Sequence, residues 1–222
     1  MGGLRPFNCL PLLMLLLNFV SQAAATVSAP KSKVKRSENL LIVGLGNIGA
    51  EFEGTRHNIG FDFIDYSASV YGAPPFKDLL KFRTSYATTR VLERNIGLSK
   101  PNCQMNESGE SVELIVRSLS LAPEDVLVIT DDLNLTFGKV KLVDGSTSFS
   151  NTSRKLETTH NGLKSVTKRL SSAKYSRLLL GVGPKRGSAS EFVLSKFSRA
   201  EQAALPNVYF DCLQALEMWL NG

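Results

Sequence analysis

Residues 40–65, LLIVGLGNIGAEFEGTRHNIGFDFID, constrain this chain more than any other stretch. The apolar run at 40–43 reads as a buried strand. It breaks at Gly44-Leu45-Gly46-Asn47-Ile48-Gly49, where three glycines let the backbone turn sharply and approach another molecule closely. A polar knot follows, Thr55-Arg56-His57-Asn58, and then apolar residues resume at helical spacing with Ile59, Phe63 and Ile64. A strand, a glycine turn, a polar knot and a helix start are the parts with which a rigid scaffold presents reactive side chains at the end of a sheet.

Two chemistries compete for this stretch. Gly44-x-Gly46-x-x-Gly49 matches the dinucleotide-binding fingerprint by letter. That fingerprint needs a helix at once and an acid closing a second strand about 20 residues on. Here Glu51-Phe52-Glu53-Gly54 follows the glycines, and Asp62 and Asp65 fall inside the helical pattern, so the context for a nicotinamide or flavin is missing. The other chemistry rests on His57. The chain has two histidines, each beside an asparagine and a glycine: His57-Asn58-Ile59-Gly60 and His160-Asn161-Gly162. A lone histidine is more often structural. One in a polar knot behind a glycine turn suits a general base, because its proton affinity lies near working pH. A carboxylate on its other ring nitrogen would hold the tautomer. Asp131, just past an apolar strand pattern, is placed for that, with a turn aspartate as the alternative.

Residues 1–37 are unlike the rest. They contain no acid and five cations, Arg5, Lys31, Lys33, Lys35 and Arg36. The apolar run at 10–20 is too short for a membrane span. With a cation before it and Ser21-Gln22-Ala23-Ala24-Ala25 after it, it fits a secretory-type signal peptide. The acid-free segment that follows has the chemistry of an organelle transit peptide. The two together resemble the two-part leader of complex plastids, and a plain mitochondrial or chloroplast leader is the alternative. The expected division is a targeting leader over 1–37 and one domain over 38–222, with no stable membrane association once the leader is removed.

The charge follows that division. Of 26 basic residues five lie in the leader, leaving 21 against 20 acidic residues. The remaining asymmetry sits in 139–186, which holds eleven Lys or Arg against Asp144 and Glu157. Such a segment suits a polyanion, since neutralising phosphates releases counterions, although most charge runs are solvated faces. The three cysteines, Cys9, Cys103 and Cys212, show neither metal nor disulfide spacing, so no metal and no cofactor are expected.

Strand and helix signals alternate, which argues for an α/β sandwich. Strands are expected near 40–45, 85–92, 126–130, 137–143 and 177–183, and helices near 58–71, 107–120, 161–171 and 199–219. Val112, Ile115, Val116 and Leu119 form a core stripe on the second helix. Ser198-x-x-Glu201 is a capping-box signature for the last, which should bury Val208, Leu213, Leu216 and Trp219. Pro206 should bend that helix or mark a restart. The polar stretch at 144–159, DGSTSFSNTSRKLETT, reads as a surface loop.

Five blocks, in order, resemble the bacterial-type peptidyl-tRNA hydrolase family. GLGN-x-G followed by RHN-x-G at 44–60 is the first. PNCQMNESG at 101–109 is similar to the family's KPxTFMNxSG, and VITDDLNL at 128–135 to its strand ending in an aspartate. HNGLKS at 160–165 and RLLLGVG at 177–183 complete the set. The resemblance implies a single-domain three-layer α/β sandwich with a twisted mixed central sheet flanked by helices. It implies hydrolysis of the ester between peptide and tRNA, with peptidyl-tRNA as partner and a monomeric state. It makes His57 the base and Asp131 its partner. Asn106 and Asn161 would hold the peptidyl ester end, Asn47 would help recognise the substrate, and Phe52 stands where the family usually has tyrosine. Gln104 replaces an apolar wall residue, and Ile48 the usual proline. Lys139, Lys141, Lys164, Lys168 and Arg169 are expected at the tRNA, with Arg154 and Lys155 available on the loop. That loop, an insertion at about 144–159, replaces a glycine-rich run of the family. A non-catalytic RNA-binding relative, such as a chloroplast group II intron splicing factor, shares the fold and much of the motif set and stands as the alternative function.

Overall fold

The run at 40–43 is apolar on both faces because it lies in the middle of a sheet covered on both sides. The computed structural model describes residues 37–145, 159–185 and 187–222. The expected leader, Ser37 apart, and the inserted loop between Gly145 and Thr159 lie outside the described residues. In chain order the elements are β1 (Asn39–Gly44), α1 (Ile59–Val70), β2 (Lys77–Leu79), β3 (Thr84–Val91), β4 (Arg94–Pro101), α2 (Ser108–Ser118), β5 (Val126–Thr136), β6 (Val140–Val143), α3 (Asn161–Leu170), β7 (Ser176–Gly183), α4 (Ala189–Leu194) and α5 (Arg199–Asn221). The seven strands form one mixed sheet in the order β2-β3-β4-β1-β5-β7-β6. β4, β1, β5 and β7 run parallel, while β2, β3 and β6 are antiparallel to their neighbours.

Strand side chains alternate between the two faces. Leu40 and Ile42 join Leu127, Ile129, Leu178 and Leu180 in one core, closed by Phe63 and Ile64 of α1 and by Cys212, Leu216 and Trp219 of α5. Leu41, Val43, Val126, Val128 and Leu179 face the opposite way, onto Val112 and Ile115 of α2 and Leu163 and Val166 of α3. The result is the expected three-layer α/β sandwich. Among the described residues no helix is long and apolar enough to cross a membrane.

Several details differ from the sequence expectations. β4 was not anticipated, because Asn95, Gly97, Ser99 and Lys100 interrupt its apolar pattern. It is nonetheless mostly buried between β1 and β3, with the Ser99 and Thr84 hydroxyls 2.8 Å apart across the pair. The short edge strand β2 and helix α4 were also unforeseen. β5 runs on to Thr136, so Asp131 lies within the strand rather than just past it. Residues 137–139 form the turn into β6. Leu119 ends α2 as its C-cap and is exposed, which removes it from the core stripe. α5 passes through Pro206 as one element with no restart, and its Ser198/Glu201 capping box is formed.

Two glycines set the approach of α1 to the sheet. A Cβ on Gly60 would stand 2.5 Å from the Leu45 carbonyl oxygen and 2.7 Å from that of Ile129, and one on Gly44 would stand 2.3 Å from the Gly60 carbonyl oxygen. The start of α1 therefore rests directly on the backbone at the end of β1 and alongside Ile129 within β5. Backbone cannot rotate aside as a side chain can, so Gly60→Ala should destabilise the domain by about 1–3 kcal/mol, the usual cost of overpacking. Urea denaturation with unchanged slope and a lower midpoint is the expected result.

Candidate active site

β1 pairs with β4 on one side and β5 on the other, and the chain crosses from β4 through α2 to β5. The strand order thus reverses between β1 and β5, and such a switch point opens a crevice at the carboxyl ends of the strands. A cleft of about 870 Å³ lies there. Asn47, Phe52, His57, Gln104, Asn106, Asp131 and Asn161 all line it, so separate segments of the chain converge on one site. Met105, Leu133, Thr159, His160, Lys185, Val193 and Leu194 supply further wall.

Asp131 is the centre of the charge arrangement. It is 1% exposed, and its Oδ1 lies 2.8 Å from His57 Nδ1 and 3.1 Å from His160 Nε2. The two imidazole centroids are 5.0 Å apart. Burial alone would raise the Asp131 pKa. The two histidines outweigh it by charge and hydrogen bonding and hold the carboxyl well below the usual range. Burial alone would lower the pKa of His57, but the Asp131 charge and hydrogen bond reverse this and raise it. His57 donates Nδ1–H to Asp131, which leaves the Nε2 lone pair as the basic atom of the ring.

His160 has a different tautomer. It is the N-cap of α3, and its Nδ1 accepts the Leu163 N–H at 3.3 Å. The ring proton therefore sits on Nε2, toward Thr130 Oγ1 at 2.7 Å and Asp131 Oδ1. The ligand atoms of His57, Asp131 and His160 fall within 4.8 Å of one another, near enough to suggest a metal triad. In these tautomers both rings present N–H groups to the shared oxygen, whereas a metal needs their lone pairs. The donor set is committed to hydrogen bonds.

Asn47 is fixed from both sides. Its N–H donates to Asn58 Oδ1 and its carbonyl accepts from Asn58 Nδ2, each at 2.9 Å. Its Oδ1 accepts the Met105 N–H at 2.8 Å, which leaves its NH₂ as the donor available to a ligand. Asn106 and Asn161 are exposed, and Gln104 Nε2 makes a 3.5 Å bond to the Ile48 carbonyl at the rim.

The sequence matches the family model described as peptidyl-tRNA hydrolase over residues 41–222. It is 39% identical over 187 residues to the peptidyl-tRNA hydrolase of Mycobacterium bovis BCG Pasteur, covering 83% of this chain and 93% of the relative. The Mycobacterium ulcerans peptidyl-tRNA hydrolase is 37% identical over 184 residues, covering 82% of this chain and 91% of the relative. The chain belongs to the peptidyl-tRNA hydrolase family. A solved peptidyl-tRNA hydrolase from Acinetobacter baumannii superposes with a TM-score of 0.68 at 29% identity, covering 85% of this chain and 97% of that one. A solved complex of peptidyl-tRNA hydrolase with N-propanol has a TM-score of 0.67 at 30% identity, with the same coverage.

Within this peptidyl-tRNA hydrolase domain the basic residues separate into groups. Lys164, Lys168 and Arg169 lie on the exposed side of α3, around a smaller cleft of about 410 Å³ that shares Asn106 and Asn161 with the main one. Arg169 is paired with Glu110 at 2.6 Å and Glu113 at 3.6 Å, while Lys164 and Lys168 have no acidic partner among the described residues. Lys139 and Lys141 are exposed on the turn before β6 and on that edge strand, and line neither cleft. Arg177 is buried, its guanidinium 4.2 Å from the Tyr175 ring centroid, so one cation of the basic segment is internal. Arg154, Lys155 and Arg186 lie outside the described residues.

The sequence reading missed His160 and Thr130 as members of the site, along with the wall from α4. The repeated His-Asn pairing was the available signal for His160. The assigned tautomers are testable, because the chain has only two imidazoles. In nitrogen NMR at alkaline pH, His57 should appear as the Nδ1–H form and His160 as the Nε2–H form. A His57 resonance of the Nε2–H type would remove its basic atom from the cleft.

Proposed function

We propose that this chain hydrolyses the ester joining peptide to tRNA in peptidyl-tRNA, with His57 as general base. The observation that carries the reading is the 2.8 Å contact of His57 Nδ1 with buried Asp131 at a cleft that Asn47, Asn106 and Asn161 also line. A water at His57 Nε2 would lose its proton to the ring as it attacks the ester carbonyl. Asp131 keeps the second ring nitrogen protonated and stabilises the imidazolium that forms. The asparagine amides supply donors for the carbonyl oxygen as it becomes negative. Asn161 opens α3, so the positive end of that helix is also directed at the cleft. The proton returns from the imidazolium to the tRNA ribose oxygen as the leaving group departs. No observation favours the non-catalytic RNA-binding alternative. The composition of residues 1–37 supports placing the activity in a plastid or mitochondrion.

His57→Ala should lower turnover of a peptidyl-tRNA substrate by roughly 10²–10⁴-fold, the usual range for general acid–base catalysis. Substrate affinity should change little, because the proton moves only in the transition state. Asp131→Asn should give a comparable or smaller loss through the wrong tautomer. The wild-type rate should rise with pH, since only the neutral ring accepts a proton. Because the His57 pKa is raised, the acid limb should be centred above the ordinary histidine value of about 6.5. A His57→Ala variant at wild-type rate would remove the base assignment.

Lys164 and Lys168, which have no acidic partner among the described residues, support contact with tRNA phosphates. In a salt titration of tRNA binding, Lys164→Ala/Lys168→Ala should lower the slope of log K against log salt by about two, one for each phosphate that is no longer neutralised. Arg169→Ala should change it less, because its charge is already shared with Glu110 and Glu113. An unchanged slope in the double variant would mark α3 as a merely solvated face.

A further inference from the structure

Both chain neighbours of His57 are anchors. On one side Asn58 exchanges two hydrogen bonds with the backbone of Asn47. On the other, Arg56 is only 7% exposed, an unusual place for a cation, and both terminal nitrogens of its guanidinium are hydrogen-bonded, while Nε is buried without a partner among the described residues. Its Nη2 donates to both carboxylate oxygens of Glu201, at 2.9 and 2.7 Å. Its Nη1 donates to the Lys196 carbonyl at 2.5 Å, with Ser195 O and Oγ at 3.4 and 3.3 Å. The guanidinium carbon lies 4.6 Å from the Phe192 ring centroid and 4.9 Å from that of Phe197. The main chain repeats the link. Arg56 N–H donates to the Ser195 carbonyl at 3.1 Å, and Thr55 bridges to Lys196.

The segment so gripped joins two working parts. Immediately before it, Val193 and Leu194 of α4 form a wall of the main cleft. Immediately after it, Ser198 and Glu201 cap α5. We propose that Arg56, clamped by Glu201, is a positioning residue for the hydrolysis. It locks the turn carrying His57 to the α4–α5 junction, so that the base and the Val193–Leu194 wall keep one fixed relation across the cleft. This rests on the reading of His57 as the base.

The geometry selects arginine over lysine. A planar fork can bond two carboxylate oxygens and a carbonyl while stacking on rings, and a lysine ammonium cannot. Arg56→Lys therefore keeps the positive charge and removes the clamp. Glu201→Gln removes the ion pair and leaves an amide oxygen for the Ser198 N–H, an accepted capping-box pairing. Among the described residues, the charged or titratable groups facing His57 are Asp131 and His160 in contact, and Lys185 on the cleft wall. None of these is altered by either substitution.

The test measures kcat and KM on peptidyl-tRNA, melting temperature, and the NMR titration of His57 in the full chain. Arg56→Lys should lower kcat by roughly 10–10²-fold, the range that a small misplacement of a catalytic group costs, with KM nearly constant. The His57 titration should move to lower pH as its contact with Asp131 loosens. Arg56→Lys/Glu201→Gln should lose no more than the worse single variant, because the pair acts as a unit. A lower melting temperature with wild-type kcat per folded molecule and an unmoved His57 titration would overturn the proposal, leaving Arg56 a structural residue. A fully active His57→Ala would instead overturn the base assignment. In that event the His57 titration in Arg56→Lys still shows whether Arg56 positions the ring.

Discussion

A buried carboxylate is expensive unless it is hydrogen-bonded, and Asp131 Oδ1 accepts from two imidazoles brought from distant parts of the chain. One belongs to the turn before α1, the other to the cap of α3, and the carboxylate itself to β5, inside the sheet. The three elements must close on one oxygen for the charge to be tolerated. The direct contact of α1 with backbone at Gly44 and Gly60 then becomes intelligible, since any side chain there would lift the His57 turn away from β5. The asymmetry of the two rings is equally consequential. One has its proton fixed by a helix N-terminus and can only donate toward Asp131, while the other keeps a lone pair. Two histidines around one carboxylate thus take different roles through their second hydrogen bonds.

The surface beside the cleft carries its charge in a similarly sorted way. Glu110 holds Arg83 and Arg169 together, and Glu107 adds a second contact to Arg83. The strongly basic count over 139–186 is therefore reduced by pairing on α3 and by the burial of Arg177. Among the described residues, what it leaves to a polyanion near Asn106 and Asn161 is Lys164 and Lys168, on the exposed side of the helix whose first turn reaches the site. Exposed ion pairs of this kind contribute little to stability. Their effect is to decide which cations a phosphate meets without competition.

The parts legible in the sequence were those whose signal is local. Continuous apolar runs marked β1, β5 and β7 because parallel strands buried on both faces need no polar side. Ser198 and Glu201 announced α5 from three residues apart. β4 was hidden because its burial depends on the neighbours of Gly97 and Ser99, not on its own hydrophobicity. The motif blocks brought out His57, Asp131 and the asparagines as a set, and the fold does gather them at one cleft. His160 was passed over because its place depends on α3 beginning beside β5, which no spacing along the chain expresses. Arg56 was read as one member of a polar knot. Its carboxylate partner is 145 residues away, beyond the reach of any pattern.

That separation also orders events during synthesis. Chains emerge from the ribosome N-terminus first, at tens of milliseconds to fractions of a second per residue. His57 and Asp131 emerge well before Glu201. Until residues 192–201 follow, the turn that carries His57 has neither the carboxylate that grips Arg56 nor the Phe192 and Phe197 rings beside it. A protein of this family begins life as a peptide esterified to tRNA, the kind of bond its relatives are named for cleaving. On the clamp proposed above, the His57 turn is not yet held to the α4–α5 junction while Glu201 is still to emerge.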